Sequence, residues 1–202
     1  MPLLTPPVAA IIDRIPRNGS FSLWRDITPG DTYQSAVLIP LFPSGDSLLT
    51  LFLRRSRRLS RHGGEICFPG GLKEPDDDSP LRTALREAEE ETGIPPDSVK
   101  PLTVMTPEYT VVSGVEIIPV LGLVCGIDPE RELVLSRSEI SKAYTVDILE
   151  FTLTPRRRTI PLPAHKKSDL EDVSFPEYDL PDGTVIWGVT ARILERVRHL
   201  LQ

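Results

Sequence analysis

Four glutamates, Glu87, Glu89, Glu90 and Glu91, stand just ahead of Gly93. A helix running into that glycine carries them in its last turns, where the macrodipole is negative and each carboxylate is disfavoured by roughly 0.3–1 kcal/mol. Glu87 and Glu91 are four residues apart and Glu87 and Glu90 three, so three carboxylates share one face and repel one another, while Glu89 points elsewhere. A charge run of this kind is by itself most often solvated surface. Upstream, however, Phe68-Pro69-Gly70-Gly71 marks a tight turn where backbone and ligand can approach closely. A carboxylate platform for a divalent cation and a bare glycine backbone are two needs of phosphate chemistry, and Mg²⁺ binds through a few carboxylates together with substrate phosphates. Arg54, Arg55, Arg57, Arg58 and Arg61 lie between these glycines and the preceding apolar run, and guanidinium forks suit bidentate phosphate contacts. If the run continues as a strand, Arg55 faces opposite Arg54, so the five do not all meet one ligand.

The elements that must hold these groups are legible around them. Ser79 is a suitable N-cap and Pro80 a suitable first residue for a helix whose apolar or small positions, Leu81, Ala84, Leu85 and Ala88, recur at helical spacing up to Gly93. Ser35 to Phe42 and Leu48 to Leu53, flanking Pro43-Ser44-Gly45-Asp46, read as a β-hairpin. Val8 to Ile15 suggests a short amphipathic helix ended by Pro16 and Asn18-Gly19. Leu102 to Met105, Val115 to Val124, Ile160 to Leu162 and Val185 to Val189 read as strands, Ser138 to Tyr144 as a short helix, and Thr190 to Leu201 as a C-terminal helix. Strand pairs alternating with helices suggest an α+β or α/β sandwich.

Composition narrows the class. The chain has 202 residues, 40% hydrophobic, and carries a net charge of −6, so bulk electrostatics do not support a general nucleic-acid or membrane-surface binder. The longest apolar stretch, Ile117 to Ile127, is broken by Pro119 and Gly122 and is shorter than the ~20 residues that span a bilayer. The N-terminus lacks the positive residues of a secretory signal, which leads us to expect a cytoplasmic protein. Cys67 and Cys125 form no C-x-x-C pattern and are expected to be ordinary buried thiols. His62, His165 and His199 have no ligand spacing. Arg156-Arg157-Arg158 reads as surface, and Trp187, at a strand end, as core before base-stacking platform.

The residues resemble the Nudix box, G-x5-E-x7-R-E-U-x-E-E-x-G-U, with U aliphatic. Arg86-Glu87-Ala88-Glu89-Glu90-Glu91-Thr92-Gly93-Ile94 matches its second half. Gly71 to Arg86 is one residue longer than the pattern, and its single acidic position falls to Asp77 or Asp78. In the family that acid pairs with the box arginine and supports the fold, which implies Arg86 as its partner. The same one-residue extension resembles the coenzyme A diphosphatase branch, whose upstream pattern L-L-T-x-R-[SA]-x3-R-x3-G-x3-F-P-G-G is met in register by Leu51, Arg55, Ser56, Gly64 and Phe68 to Gly71. Leu53 replaces its threonine and Ser60 its second arginine, with Arg61 alongside. Ile186-Trp187-Gly188-Val189-Thr190-Ala191 is similar to that branch as well.

The resemblance implies an α/β-class Nudix α/β/α sandwich with a mixed β-sheet and a loop-helix-loop catalytic motif. It implies a single domain over residues 1–202, with residues 1–32 a helical extension and the core from about 33. The expected cofactor is Mg²⁺ or Mn²⁺, held by Glu87, Glu90 and Glu91. Glu90 and Glu91 count as catalytic together with Glu139, the candidate general base, whose alternative reading is an exposed or capping glutamate. Arg55, Arg58, Arg61, Gly70 and Gly71 are the expected substrate-binding residues. The partner is then a small molecule, coenzyme A or another nucleoside diphosphate derivative such as ADP-ribose, with no nucleic acid and no membrane, in a protein for which a homodimer is left open. The contrasting reading is a catalytically silent nucleotide- or RNA-binding module, whose mark would be loss of a box glutamate; all three are present.

Overall fold

The computed structural model describes residues 4–17, 24, 33–60, 62–110, 114–152, 155–160 and 173–202. Its centre is the strand β1 (Tyr33–Ser44), which turns through Gly45 and Asp46 into β2 (Ser47–Arg55) with Ser44 opposite Ser47. A two-residue turn with its first residue at positive φ, here Gly45 at 58°, matches the twist of the strands it joins. The hairpin read from the sequence is therefore present, with strands longer than their apolar runs. β3 (Ile66–Cys67) and β4 (Gly70–Leu72) follow, the first pairing with β2 and the second with β1. β5 (Val99–Val104), β6 (Glu108–Tyr109) and β7 (Val115–Val124) complete the other side, β7 running parallel to β1. The result is a mixed sheet of eight strands once β8 (Ile140–Asp147) is added along the free edge of β2.

Helices cover both faces. Alternation along β1 sends Ala36, Leu38 and Phe42 into a buried cluster with Ala84 and Ala88 of α2 (Pro80–Thr92). Ile39 and Leu41 enter a second cluster with Val8 and Ile12 of α1 (Pro6–Arg14) and with Leu194, Val197 and Leu201 of α4 (Gly188–Leu201). The chain thus has the expected α/β architecture, a mixed sheet between helical layers. A short α3 (Ile148–Phe151) leads towards β9 (Arg156–Ile160), which joins β10 (Val173–Asp179) and β11 (Val185–Ile186) in a smaller antiparallel sheet.

Four readings change. Ser138 to Tyr144 is not a helix; Ile140 to Asp147 is a strand. Ile140 and Tyr144 are both buried four residues apart, which imitates helical spacing, but a bulge at Arg54/Arg55 resets the alternation. Ile140 therefore joins the α2-side cluster and Tyr144 the α4-side one. The predicted strand at Val185 to Val189 stops at Ile186, because Gly188 (φ 66°) turns the chain into α4 two residues earlier than expected. The strand expected at Ile160 to Leu162 is found as Arg156–Ile160, while Pro161 and Leu162 lie outside the described residues. Cys67 and Cys125 are free and half-buried, not fully buried.

Candidate active site

α2 is built to bring carboxylates against the sheet. Ser79 Oγ accepts from the Arg82 N–H at 3.2 Å, Pro80 opens the first turn, and Gly93 ends the helix at φ 73° with its N–H on the Glu89 carbonyl. Small Ala84 and Ala88 let the helix lie close to β1, and Glu91, one turn further along that stripe, points inward at 1% exposure. Glu89, as expected, is exposed.

The buried Glu91 carboxylate accepts the Gly70 N–H at Oε2, 3.0 Å, and lies with Oε1 3.6 Å from Arg55 Nη1. Burial raises its pKa to about 7; the Gly70 amide and Arg55 pull it down, while Glu87 and Glu139 push it up. Glu87 packs against Gly71, where any Cβ would overlap its carboxylate. Gly70 is constrained more tightly, since a Cβ there would overlap main chain, the Ala36 carbonyl and Val37 Cα. Glu87 is also raised, first by burial and then by Glu90 and Glu139, against the lowering effect of Arg86. Glu139 is exposed; its charge acts on both carboxylates, and its carbonyl accepts the Ser56 N–H at 2.6 Å beside the basic loop.

Arg86 ties the helix to the loop before it. It donates through Nη2 to Asp77 Oδ2 (3.0 Å) and the Leu72 carbonyl (3.1 Å), and through Nη1 to Glu87 Oε1 (3.0 Å) and Glu90 Oε2 (3.2 Å). Asp77 also accepts from Thr83 Oγ1 and the Glu74 N–H. Burial would raise the Asp77 carboxyl, but these hydrogen bonds and the Arg86 charge outweigh it and hold it below its ordinary range. The choice left open in the sequence falls on Asp77; Asp78 instead accepts from its neighbour Ser79.

Not every predicted residue converges. Arg55, Gly70, Gly71, Glu87 and Glu91 do, while Glu139 is exposed and within electrostatic reach of Glu87 and Glu91. Glu90 is exposed and reaches the cluster through Arg86, and Arg58 is exposed on the loop after β2. Arg61 lies outside the described residues. Arg156, Arg157 and Arg158 are surface residues, paired with Asp179, Glu195 and Glu177 respectively. Trp187 is 52% exposed and so is not a core residue: it caps the start of α4 where Gly188 turns the chain. Sequence reasoning missed two contributors. Cys67 stands beside Glu91 and Arg55, its thiol pushed up to about 12 by burial and then by Glu91, and only the β2–β3 register reveals it. The Val134 and Ser136 amides donate to the Thr92 and Glu91 carbonyls, closing the end of α2. No residue type announces such main-chain contacts.

A NUDIX domain model matches residues 32–162. The chain belongs to the Nudix family. It is 35% identical over 167 residues to the uncharacterised Nudix hydrolase NudL of Pectobacterium atrosepticum, covering 81% of this chain and 80% of that one. It is 33% identical to NudL of Citrobacter koseri, covering 88% of each. Among solved structures, a MutT/nudix family protein from Enterococcus faecalis superposes with TM-score 0.52 at 16% identity, over 88% of this chain and 65% of that one, a likeness of fold. The protein is accordingly a Nudix pyrophosphohydrolase, and members of this family generally use divalent metal ions. Among the described residues no three His, Cys, Asp or Glu side chains form a ready-made metal cage. Arg86, between Glu87 and Glu90, and Arg55, beside Glu91, supply the positive charge. The donor chemistry nevertheless fits a hard cation, since Glu87, Glu90 and Glu91 offer carboxylate oxygens. Glu91, buried and with Arg55 Nη1 no closer than 3.6 Å, is the charge such an ion would relieve.

Proposed function

We propose that this Nudix enzyme hydrolyses the diphosphate of coenzyme A or its acylated or oxidised forms, giving 3′,5′-ADP and 4′-phosphopantetheine or its acyl form. Residues 1–202 would act as one catalytic unit in the cytoplasm, with Mg²⁺ or Mn²⁺ as cofactor. The observation carrying this reading is the meeting of Arg55, from the coenzyme A-type basic pattern, with Glu91, from the Nudix box, across the Gly70 amide.

Glu87, Glu90 and Glu91 would hold the divalent cation, which when bound neutralises diphosphate oxygens and makes a nearby water more acidic. Arg55 binds a phosphate oxygen with a charge-assisted hydrogen bond, and Arg58 with Arg61 meets the further phosphate. Gly70 and Gly71 let the Glu91 and Glu87 carboxylates lie against the backbone of β4, beside which the diphosphate would bind. Glu139 takes a proton from the attacking water as its oxygen bonds to phosphorus. The bridging P–O bond then breaks, and its electron pair leaves with the departing phosphate. Arg86, anchored by Asp77, keeps Glu87 and Glu90 in position.

The replacement of the second pattern arginine by Ser60 favours one alternative, the same chemistry on ADP-ribose or another nucleoside diphosphate derivative. Incubation with Mg²⁺ and either coenzyme A or ADP-ribose, followed by mass spectrometry of the products, separates them, with Glu91→Gln as control. Release of 3′,5′-ADP from coenzyme A, lost in the control, is the expected result. Cleavage of ADP-ribose alone would discard the coenzyme A assignment, and no cleavage across a wider diphosphate panel with Mg²⁺ or Mn²⁺ would indicate a binding module.

A further inference from the structure

Among the described residues, the indole of Trp187 makes no hydrogen bond and no ring contact. It caps α4 without a side-chain hydrogen bond, and it is 52% exposed although Ile186, immediately before it, is fully buried. Large exposed aromatics are informative because burying them is strongly favourable. Its position is nonetheless fixed by the main chain. β11 lies beside β3, the Thr190 hydroxyl donates to the Ile66 carbonyl at 3.0 Å, and Gly188 at φ 66° starts α4 without slack.

The direction follows from alternation. Ile186 enters the α4-side cluster, and Trp187, next along an extended backbone (φ −143°, ψ −179°), sends its side chain away from that cluster. Across the β11–β3 contact, Cys67 faces Leu53 in the β2–β3 register and stands beside Glu91 and Arg55. Thr190 thus fastens the Trp187 turn to Ile66, one residue before Cys67 and four before Gly70, whose amide binds Glu91. The loop between β2 and β3 carries the exposed Arg57 and Arg58. An exposed aromatic plane fastened to the strand that leads to Gly70, with guanidiniums on the loop before that strand, suits the base and outer phosphate of a nucleotide.

We propose that Trp187 is a specificity-determining residue on which the nucleoside base of the substrate stacks. The inference deepens the diphosphatase reading and rests on it, but requires only that the substrate carry a base. Stacking on an aromatic side chain implies that Trp187→Ala raises KM roughly ten-fold with little change in kcat, and that Trp187→Phe recovers most of the loss. Thermal melting of each variant checks that the fold is intact. Because the chain has two tryptophans, a Trp24→Phe protein reports Trp187 alone by fluorescence. Titration with 3′,5′-ADP is expected to quench it, and titration with 4′-phosphopantetheine is not. An unchanged KM in Trp187→Ala, absence of quenching by 3′,5′-ADP, or quenching by 4′-phosphopantetheine alone would overturn the proposal. If coenzyme A is not cleaved but ADP-ribose is, the same KM comparison on ADP-ribose decides it, and the quenching experiment decides it without turnover.

Discussion

Glu91 concentrates the conflict on which the site depends. Its carboxyl, ordinarily at 4.5, is raised to about 7 by burial, so the folded chain holds a proton that the unfolded chain releases. Stability from this group is present in full below about 4.5 and is lost as pH rises towards 7, a difference of about 3 kcal/mol. Urea unfolding in EDTA between pH 4.5 and 7.5 should show that decline once other carboxylates are allowed for, and Mg²⁺ should flatten it. A profile unaffected by Mg²⁺ would remove Glu91 from the cation's ligands. The glycines beside it separate two kinds of damage. Gly71→Ala meets only the end of the Glu87 side chain, which can swing aside, so melting should change little while kcat falls about 100-fold from the displaced carboxylate. Gly70→Ala meets the Ala36 carbonyl and Val37 and should cost about 1–3 kcal/mol in stability as well. Equal melting temperatures for the two variants, by calorimetry, would contradict this division.

At the scale of elements, legibility followed local chemistry. α2 could be read because its signals are all in its own residues: the Ser79 cap, Pro80, the Ala84 and Ala88 stripe and the Gly93 stop. The β1–β2 hairpin was readable for the same reason. β8 was not, because its buried residues Ile140 and Tyr144 serve opposite faces across a bulge at Ser141, opposite Arg54/Arg55, and a one-dimensional pattern cannot show a register shift. β3 and β4, two and three residues long, exist only through pairing with β2 and β1. In the candidate site, Glu87, Glu91, Arg55 and the glycines were visible by type and spacing. The selection of Asp77 over Asp78 was not, since it depends on which carboxylate the loop turns inward to Thr83 and Arg86.

The whole molecule divides labour between its two faces. The cluster holding Val8, Ile39, Leu121, Leu194 and Val197 lies on the face away from α2, whereas the carboxylates grow from the face that α2 covers. Stability and turnover should therefore separate under mutation. Leu194→Ala, at a fully buried position, should cost about 3 kcal/mol and lower the melting temperature by roughly 10 °C, with kcat/KM unchanged well below the transition. A parallel fall in kcat/KM would mean that the faces are mechanically coupled.

The segment leading to Glu139 meets the last turn of α2 through the amides of Val134 and Ser136, while the Val134 side chain is 74% exposed. Its grip on the helix is written in peptide groups, which every residue except proline supplies alike. Descendants of this sequence are therefore free to exchange side chains there and still inherit the same anchorage for the glutamate that follows.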